Sequence, residues 1–233
     1  MNFDIQLAEN YSPDEVVFRI YRWNPFCISL GANQRLEEIN LAKASSENID
    51  IVKRPTGGRA ILHSEELTYS VIYPIDYNLS AHDLYNQINS ALKNGLILFN
   101  NLLQQIELEN NQPDFKSFYK QDKSPVCFAV SAKSEINFQN RKLVGSAQRK
   151  FGKVILQHGS ILCGNFHLNI VDYLNITDEK KISIKNEIAH STIDLKSILN
   201  EEINYTELAN CLVRGFENYF NVSFERTPEL SGV

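Results

Sequence analysis

The stretch KRPTGGRAILHSEELTYSVIY, residues 53–73, decides the fold because it joins a tight turn to a long strand. Gly57 and Gly58 allow the backbone to turn sharply and to come within contact distance of a ligand. Leu67–Tyr73 alternates and is rich in β-branched and aromatic residues, which is typical of a strand. The sequence therefore predicts a turn that presents its backbone next to a sheet.

Two arginines flank this turn. Arg54 and Arg59 carry guanidinium groups that suit a carboxylate or a phosphate of a ligand. Taken alone, however, a Gly-Gly pair with neighbouring arginines is more often a hairpin on the protein surface. The turn indicates a binding site only in combination with other parts of the chain.

A second group of strands lies further along the chain. Glu135–Phe138, Leu143–Ala147 and Val154–Leu162 read as three successive strands. Short polar turns separate them, at Gln139–Arg141 and Lys150–Lys153. Because strands joined by such short turns pair with their neighbours, this region predicts an antiparallel meander.

Helical patterns surround these strands. Apolar residues recur every three or four positions from Leu84 to Ile106, which predicts one long helix with Ser80 as its N-cap. Leu36–Ser46 also reads as a helix, and the chain after Asp178 is helical and charged. Together these elements predict an α+β fold in which a mixed, largely antiparallel sheet packs against helices, with a small helical C-terminal part.

Composition narrows the functional classes. The chain has 233 residues and a net charge of −5, which argues against a general nucleic-acid binder because such proteins are usually basic. It has no run of about 18 apolar residues and no signal-peptide pattern at its start, so we expect a cytoplasmic protein without a membrane span. The four cysteines, at positions 27, 127, 163 and 211, have no metal-site spacing, so we expect no metal.

Three short blocks combine small residues with polar ones on strands. They are RPTGGRAILH at 54–63, KLVGSAQ at 142–148 and LQHGSIL at 156–162. Glycine and alanine at these positions leave room for a ligand against the sheet. In isolation, Lys142 is most often a solvated lysine, and His158 a strand-end histidine without chemistry.

In this order the three blocks resemble the biotin/lipoate protein ligase superfamily, and within it the branch of lipoate–protein ligase A and cysteine-dependent octanoyltransferases. The resemblance implies a fold like that of class II aminoacyl-tRNA synthetases and biotin ligases. It covers nearly the whole chain, and it implies a catalytic domain over residues 1–175 with a helical C-terminal extension of the same domain over residues 176–233. The substrate-binding residues that it implies are Arg54, Gly57, Gly58, Arg59, His63, Gly145, Ser146, Ala147, Gln148, His158 and Gly159.

The resemblance also implies an activity, in which an octanoyl or lipoyl chain is attached to one lysine of a small carrier domain. The implied acceptors are the glycine-cleavage H protein and the lipoyl domains of 2-oxoacid dehydrogenases. Lys142 matches the family's essential lysine and is implied to stabilise the oxyanion. Cys127 resembles the nucleophile of octanoyltransferases, which take the acyl group from acyl carrier protein through an enzyme thioester and need no cofactor.

Two alternatives stay open. An ATP-dependent lipoate–protein ligase of the same fold would use ATP and magnesium to form an acyl-adenylate held by Lys142, with Cys127 incidental. Only about 70 residues follow Leu162. This segment is too short for the fused accessory domain of many ligases in this branch, which favours the transferase. The other alternative is a non-catalytic acyl- or carrier-binding paralogue, because the family's first strand has no counterpart before Asn2 and is either missing or upstream.

Overall fold

The structure, a computed structural model, describes residues 1–10, 15–75, 79–109 and 135–225. In chain order its helices and strands are α1 (Asn2–Asn10), β1 (Val17–Tyr21), β2 (Cys27–Leu30), α2 (Leu41–Ser46), β3 (Asp50–Lys53), β4 (Ile61–His63), β5 (Glu66–Pro74), α3 (Ala81–Phe99), β6 (Ile106–Leu108), β7 (Ile136–Phe138), β8 (Arg141–Phe151), β9 (Val154–Leu162), α4 (Asp178–Ser191), α5 (Leu195–Leu199) and α6 (Tyr205–Phe220). Within the described ranges, 3-10 helices lie at Leu36–Glu38, Asn101–Gln105 and Phe166–Tyr173.

The strands form two sheets. The large sheet has the order β1-β5-β9-β8-β7-β6, and all its neighbouring strands run antiparallel. The small sheet has the order β3-β2-β4, in which β2 runs parallel to β3 and antiparallel to β4. The predicted α+β class is confirmed, and so is the meander, because β7, β8 and β9 pair in sequence order. The parallel pairing that makes the β-structure mixed lies in the small sheet.

Helices α3 and α6 cover one face of the large sheet. They cross closely because glycines meet at the crossing: a Cβ on Gly215 would lie 2.5 Å from the Cα of Gly95. A Cβ on Gly95 would in turn lie 2.6 Å from the Cα of Leu212. Leu92 of α3 and Phe216 of α6 are buried in the main apolar core next to this crossing. This face of the sheet is therefore closed to ligands.

The two faces of the large sheet carry alternate side chains of β5 and β9. Tyr69 of β5 and Gln157 of β9 point towards α3, where the side chain of Asn89 accepts a hydrogen bond from Gln157 at 3.3 Å. Because side chains alternate along a strand, Thr68 and His158 point the other way and make the opposite face polar. The small sheet and the glycine turn lie on that side.

The long helix predicted to reach Ile106 is wrong at its C-terminal end. The α-helix ends at Phe99, and Asn100 adopts an extended backbone with φ −154° and ψ 134°. The side chain of Asn100 then accepts a hydrogen bond from the backbone N–H of Leu102 at 2.9 Å and starts a 3-10 helix. Asparagine competes with the helix in this way because its short side chain bonds to nearby backbone groups. The apolar pattern continues past this break, so periodicity alone does not reveal it.

The single helix predicted for Leu36–Ser46 is also interrupted. Ile39 forms an isolated β-bridge with Leu174, which takes its backbone out of a helix. Asn40 then caps a new helix, α2, by accepting a hydrogen bond from the backbone N–H of Lys43 at 3.1 Å. A tertiary contact thus divides the segment.

The C-terminal helices share the main core with the sheet, since Leu208 and Phe216 of α6 are buried in the same cluster as Leu67 of β5. The predicted division of the chain at residue 175 stays a prediction. Among the residues that the structure describes, no helix combines the length and the apolar character that a bilayer crossing requires.

Candidate functional site

A cavity of about 460 Å³, its open mouth included, lies between the glycine turn and the polar face of the large sheet. Seven of the predicted substrate-binding residues line it: Arg54, His63, Gly145, Ser146, Ala147, His158 and Gly159. Other lining residues are Met1, Tyr21, Trp23, Ile61, Thr68, Glu135 and Ser160. The three sequence blocks therefore meet around one space, as the resemblance implied.

The glycine turn is built around the guanidinium group of Arg54. Its Nε and Nη2 donate to the carbonyl oxygen of Gly57 at 3.3 and 3.1 Å, and Nη2 also donates to that of Arg59 at 2.6 Å. Its Nη1 donates to the carbonyl oxygen and the hydroxyl of Ser29 at 2.9 and 3.1 Å. A guanidinium has five N–H groups, and these bonds engage all of them within the chain. Arg54 thus shapes the turn, which differs from the expected pairing with a ligand carboxylate or phosphate.

The two glycines of the turn differ in whether the fold requires them. Gly58 has a φ of +93°, a conformation that glycine adopts without strain. Its carbonyl also touches the chain at Gly31, where a Cβ would lie only 1.9 Å from that oxygen. Gly57, by contrast, is exposed, and a Cβ there would meet nothing within 4 Å. The fold itself therefore does not require glycine at position 57.

Lys142, the predicted oxyanion-stabilising residue, is buried in β8. Its Nζ lies 2.9 Å from Oε2 of Glu135, and the two side chains are 3% and 5% exposed. The other carboxylate oxygen of Glu135 accepts the backbone N–H of Ser146 at 3.1 Å. Glu135 lines the cavity, so the ion pair lies at its wall. The side chain is thus not the solvated lysine that surface statistics favour.

His63 links the two sheets. Its Nε2 lies 2.7 Å from the hydroxyl of Ser29 in the small sheet, and its Nδ1 lies 2.7 Å from Oε1 of Glu66 in the large sheet. The hydroxyls of Thr68 and Ser160 also donate to this oxygen, at 2.6 and 2.9 Å. The second oxygen of Glu66 is buried and has no hydrogen-bond partner among the residues that the structure describes. Both ring nitrogens are engaged, so His63 shapes the cavity rather than offering a free base.

His158 faces the glycine turn from β9. Its Nε2 lies 2.7 Å from the hydroxyl of Thr56. The pKa of His158 is lowered from 6.5 to about 3, chiefly because the ring is buried; Asp4 opposes this shift, while Arg54 and the neighbouring His63 add to it. The ring is therefore neutral near pH 7, and it can hold a hydrogen bond in the cavity without adding charge.

Three of the predicted substrate-binding residues, Gln148, Ser146 and Gly159, also stabilise the sheet beside this cavity. Gln148 donates to the side chain of Gln157 at 3.3 Å, and Ser146 receives the hydroxyl of Tyr69 at 2.6 Å, so both side chains point towards α3. Gly159 allows β8 and β9 to approach, since a Cβ there would lie 2.3 Å from the carbonyl oxygen of Gly145.

The cysteines divide into two groups. Cys27, Cys163 and Cys211 are buried free thiols. Burial raises the pKa of Cys27 to about 12 and raises the pKa values of Cys163 and Cys211 as well. The prediction that these three thiols are buried is confirmed, and their raised pKa values favour the protonated form. Cys127, the predicted nucleophile, lies outside the described residues, and its role stays a prediction.

Sequence reasoning missed three polar residues of the site: Thr56, Glu66 and Glu135. Glu135 had a usable signal, because it directly precedes the strand that pairs with the strand of Lys142. Thr56 had none, since its partner His158 is 102 positions away in the chain. Pairings of this kind follow from the packing of the two sheets.

Comparisons with known proteins agree with this architecture. The family model of the lipoyl protein ligase A/B catalytic domain matches residues 1–217. The octanoyltransferase LipM of Staphylococcus epidermidis is 34% identical over 97% of this chain and 83% of its own length. The corresponding protein of Clostridioides difficile is 35% identical over 93% of this chain and 84% of its own length.

Solved structures show the same fold. A lipoate-protein ligase A bound with ATP has a TM-score of 0.73 at 20% identity, over 97% of this chain and 81% of that one. A bipartite lipoate protein ligase of Thermoplasma acidophilum has a TM-score of 0.74 at 19% identity, over 97% of this chain and 79% of that one.

Proposed function

We propose, because this chain belongs to the lipoyl protein ligase A/B catalytic domain family, that it transfers an octanoyl group to a lysine of a lipoyl carrier domain. The observation that carries the proposal is the 34% identity, over 97% of the chain, to a curated octanoyltransferase. The solved ligases of the same fold are only 19–20% identical. The chain is accordingly an acyltransferase of protein lipoylation.

The donor is octanoyl-acyl carrier protein, and the reaction has two steps. In the first step the thiolate of Cys127 attacks the carbonyl carbon of the donor thioester, a new C–S bond forms, and the carrier's thiolate leaves. In the second step the amine of the acceptor lysine attacks the acyl-cysteine. An amide bond forms, the C–S bond breaks, and the amine's proton goes to the departing cysteine thiolate. The lipoyl domains of 2-oxoacid dehydrogenases and the glycine-cleavage H protein are the acceptors.

Both steps pass through a tetrahedral species with a negative oxygen. A preorganised cation in a site without water stabilises such an oxyanion far more than one in bulk water does. The ammonium of Lys142 is buried beside the cavity and meets this requirement. His158, neutral and bonded to Thr56, positions the donor or the thiolate without adding charge.

The cavity receives the acyl chain. Its wall includes Tyr21, Trp23, Ile61 and Ala147, whose apolar surfaces suit a hydrocarbon tail. Burial of one methylene group contributes about 0.8 kcal/mol. A hexanoyl donor, which is shorter by two methylenes, should therefore react with a kcat/KM about 15-fold below that of the octanoyl donor.

An ATP-dependent lipoate ligase is the second candidate, favoured by the fold that the chain shares with a lipoate-protein ligase bound with ATP. This candidate requires ATP and magnesium, and it requires donors for the adenylate phosphate. The five N–H groups of Arg54 are engaged by the carbonyls of the turn and by Ser29, which supports the transferase over the ligase.

One assay decides between the two. The protein is incubated with an apo lipoyl domain and either octanoyl-acyl carrier protein or octanoate with ATP and magnesium, and intact masses are recorded. We expect an octanoyl adduct on the enzyme and on the acceptor with the first donor. The octanoyl adduct on the enzyme should be absent from the Cys127→Ser variant and present in the control Cys211→Ser. Transfer that requires ATP, or no adduct on the wild type, would overturn the transferase mechanism.

A further inference from the structure

The carboxylate of Glu135 joins Lys142 to the backbone of the cavity wall. One of its oxygens lies 2.9 Å from Nζ of Lys142, and the other accepts the backbone N–H of Ser146 at 3.1 Å. We propose that Glu135 is the positioning residue for Lys142, holding its ammonium at the place where the oxyanion forms. This inference rests on the proposed function, because it takes Lys142 as the group that stabilises the oxyanion.

The position of Glu135 follows from the end of a strand. The pairing of β7 with β8 ends at Ile136, which is opposite Val144. The N–H of Ser146, two residues further along β8, therefore lies beyond the last residue of β7. The carboxylate of Glu135 accepts a hydrogen bond from this N–H at 3.1 Å. It is consequently fixed against the sheet rather than against solvent.

Burial makes this anchor necessary for a lysine. Lys142 and Glu135 are 2% and 4% exposed. Lysine carries its charge on a flexible four-carbon stem, so packing alone does not choose one position for the ammonium. Removing one partner of a buried ion pair leaves an uncompensated charge, and the remaining group moves towards water or another partner. The two bonds of Glu135 thus select the position in which the ammonium faces the cavity wall.

The backbone of Lys142 is held separately. Its carbonyl oxygen accepts the N–H of Ile193 at 3.0 Å, and the residue forms a β-bridge with Thr192. Loss of Glu135 should therefore change the position of the ammonium and leave the strand in place. A displacement of about 1 Å at a reacting centre costs on the order of 100-fold in rate.

If Glu135 only stabilised the pairing of β7 with β8, its replacement would have different effects. It would lower stability, and its effect on the rate would be independent of Lys142. A positioning residue acts through Lys142, so its effect should vanish once the ammonium is gone. A double-mutant cycle on single-turnover rates separates the two roles.

The experiment compares Glu135→Gln, Glu135→Asp, Lys142→Met and the double variant Glu135→Gln/Lys142→Met in octanoyl transfer to an apo lipoyl domain. We expect Glu135→Gln to lower kcat about 10- to 100-fold while KM for octanoyl-acyl carrier protein stays within about twofold of the wild type. In the Lys142→Met background the same change should alter the residual rate by less than about threefold. Glu135→Asp keeps the charge but shortens its reach, so its kcat should lie between those of the wild type and Glu135→Gln.

The matched control is Glu109→Gln. Glu109 accepts a hydrogen bond from the side chain of Asn137 on β7 at 3.0 Å, and its backbone N–H donates to the carbonyl oxygen of Glu135. The same chemical change is thus made on the far side of β7 from Lys142. Its kcat should stay within about twofold of the wild type, because the side-chain hydrogen bond that it weakens is to Asn137 and not to the ammonium of Lys142.

Three outcomes overturn the inference while leaving the proposed function intact. They are a wild-type kcat in Glu135→Gln, equal fold losses in the presence and absence of Lys142, and a kcat loss in Glu109→Gln as large as that in Glu135→Gln. If Glu135→Gln does not fold, a wild-type kcat in Glu135→Asp overturns the inference instead. An inactive wild-type enzyme would refute the proposed function.

Discussion

Replacement of His158 by glutamine should make the protein less sensitive to mild acid. Burial holds the pKa of His158 at about 3, whereas the ring in an unfolded chain titrates at 6.5. As the pH falls below 6.5, the unfolded chain binds a proton that the folded chain rejects. The wild type therefore loses stability on the acid side of pH 6.5, and this loss continues down to about pH 3. Glutamine binds no proton in either state and still carries a polar atom that can reach Thr56.

The magnitude follows from the two pKa values. At pH 5.5 the unfolded ring is about ten-elevenths protonated and the folded ring is almost entirely neutral, which corresponds to about 1.4 kcal/mol of lost stability relative to high pH. The ring is only 5% exposed, so solvent screening does not reduce this figure much. For a chain of this size, 1 kcal/mol shifts Tm by about 2–4 °C. Between pH 7.5 and 5.5 the wild type should lose about 3–6 °C more in Tm than His158→Gln.

Thermal unfolding at pH 7.5, 6.5 and 5.5 measures this difference. The comparison uses the change in Tm with pH and not the Tm itself, because the substitution also alters packing at every pH. His190→Gln, which removes an exposed ring on α4, is the matched control and should follow the wild-type curve. Parallel curves for the wild type and His158→Gln would show that the ring is not buried as a neutral group, and would refute the reasoning.

Three further substitutions test the cavity and the helix crossing. Gly57→Ala should leave Tm within about 2 °C of the wild type, because the added Cβ meets nothing within 4 Å. It should lower kcat/KM about tenfold if a ligand approaches the turn there, and an unchanged kcat/KM would remove Gly57 from the site. Gly215→Ala should destabilise the protein by about 1–3 kcal/mol in thermal melts, because its Cβ would overlap the backbone of Gly95. A wild-type Tm would mean that α3 and α6 move apart without cost. Arg54→Lys should lower the free energy of unfolding, measured with denaturant, by about 2–4 kcal/mol, because an ammonium cannot replace the five N–H donors of a guanidinium. It should also lower the rate of octanoyl transfer. An unchanged free energy of unfolding would contradict the role of Arg54 in the turn.

The elements that could be predicted from the sequence are those in which local pattern and packing agree. The alternation in Leu67–Tyr73 and the short turns of the meander are local, so this strand and the pairing within the meander were predicted correctly. The helix after Ser80 was predicted at its start, where the capping side chain bonds to the backbone N–H of Asp83 at 3.1 Å. Its end was not, because the side chain of Asn100 stops it while the apolar pattern continues.

The site was predictable to the extent that its residues come in contiguous blocks. Lys142 and His158 were identified from such blocks, and both lie at the cavity or on its wall. Glu66 lies only three positions from its partner His63 and was overlooked. Thr56 could not be identified, because its partner His158 is 102 positions away in the chain. No sequence spacing encodes a contact of this kind.

The sequence by itself determined the α+β class, the meander, the three blocks and the tight turn at the glycine pair. Tertiary structure decided what the charged groups do. The guanidinium of Arg54 could face a ligand or the turn, and the lysine ammonium at 142 could face water or the interior. Burial settled both, because a charge away from water needs partners: Arg54 took backbone carbonyls of the turn, and Lys142 took the carboxylate of Glu135.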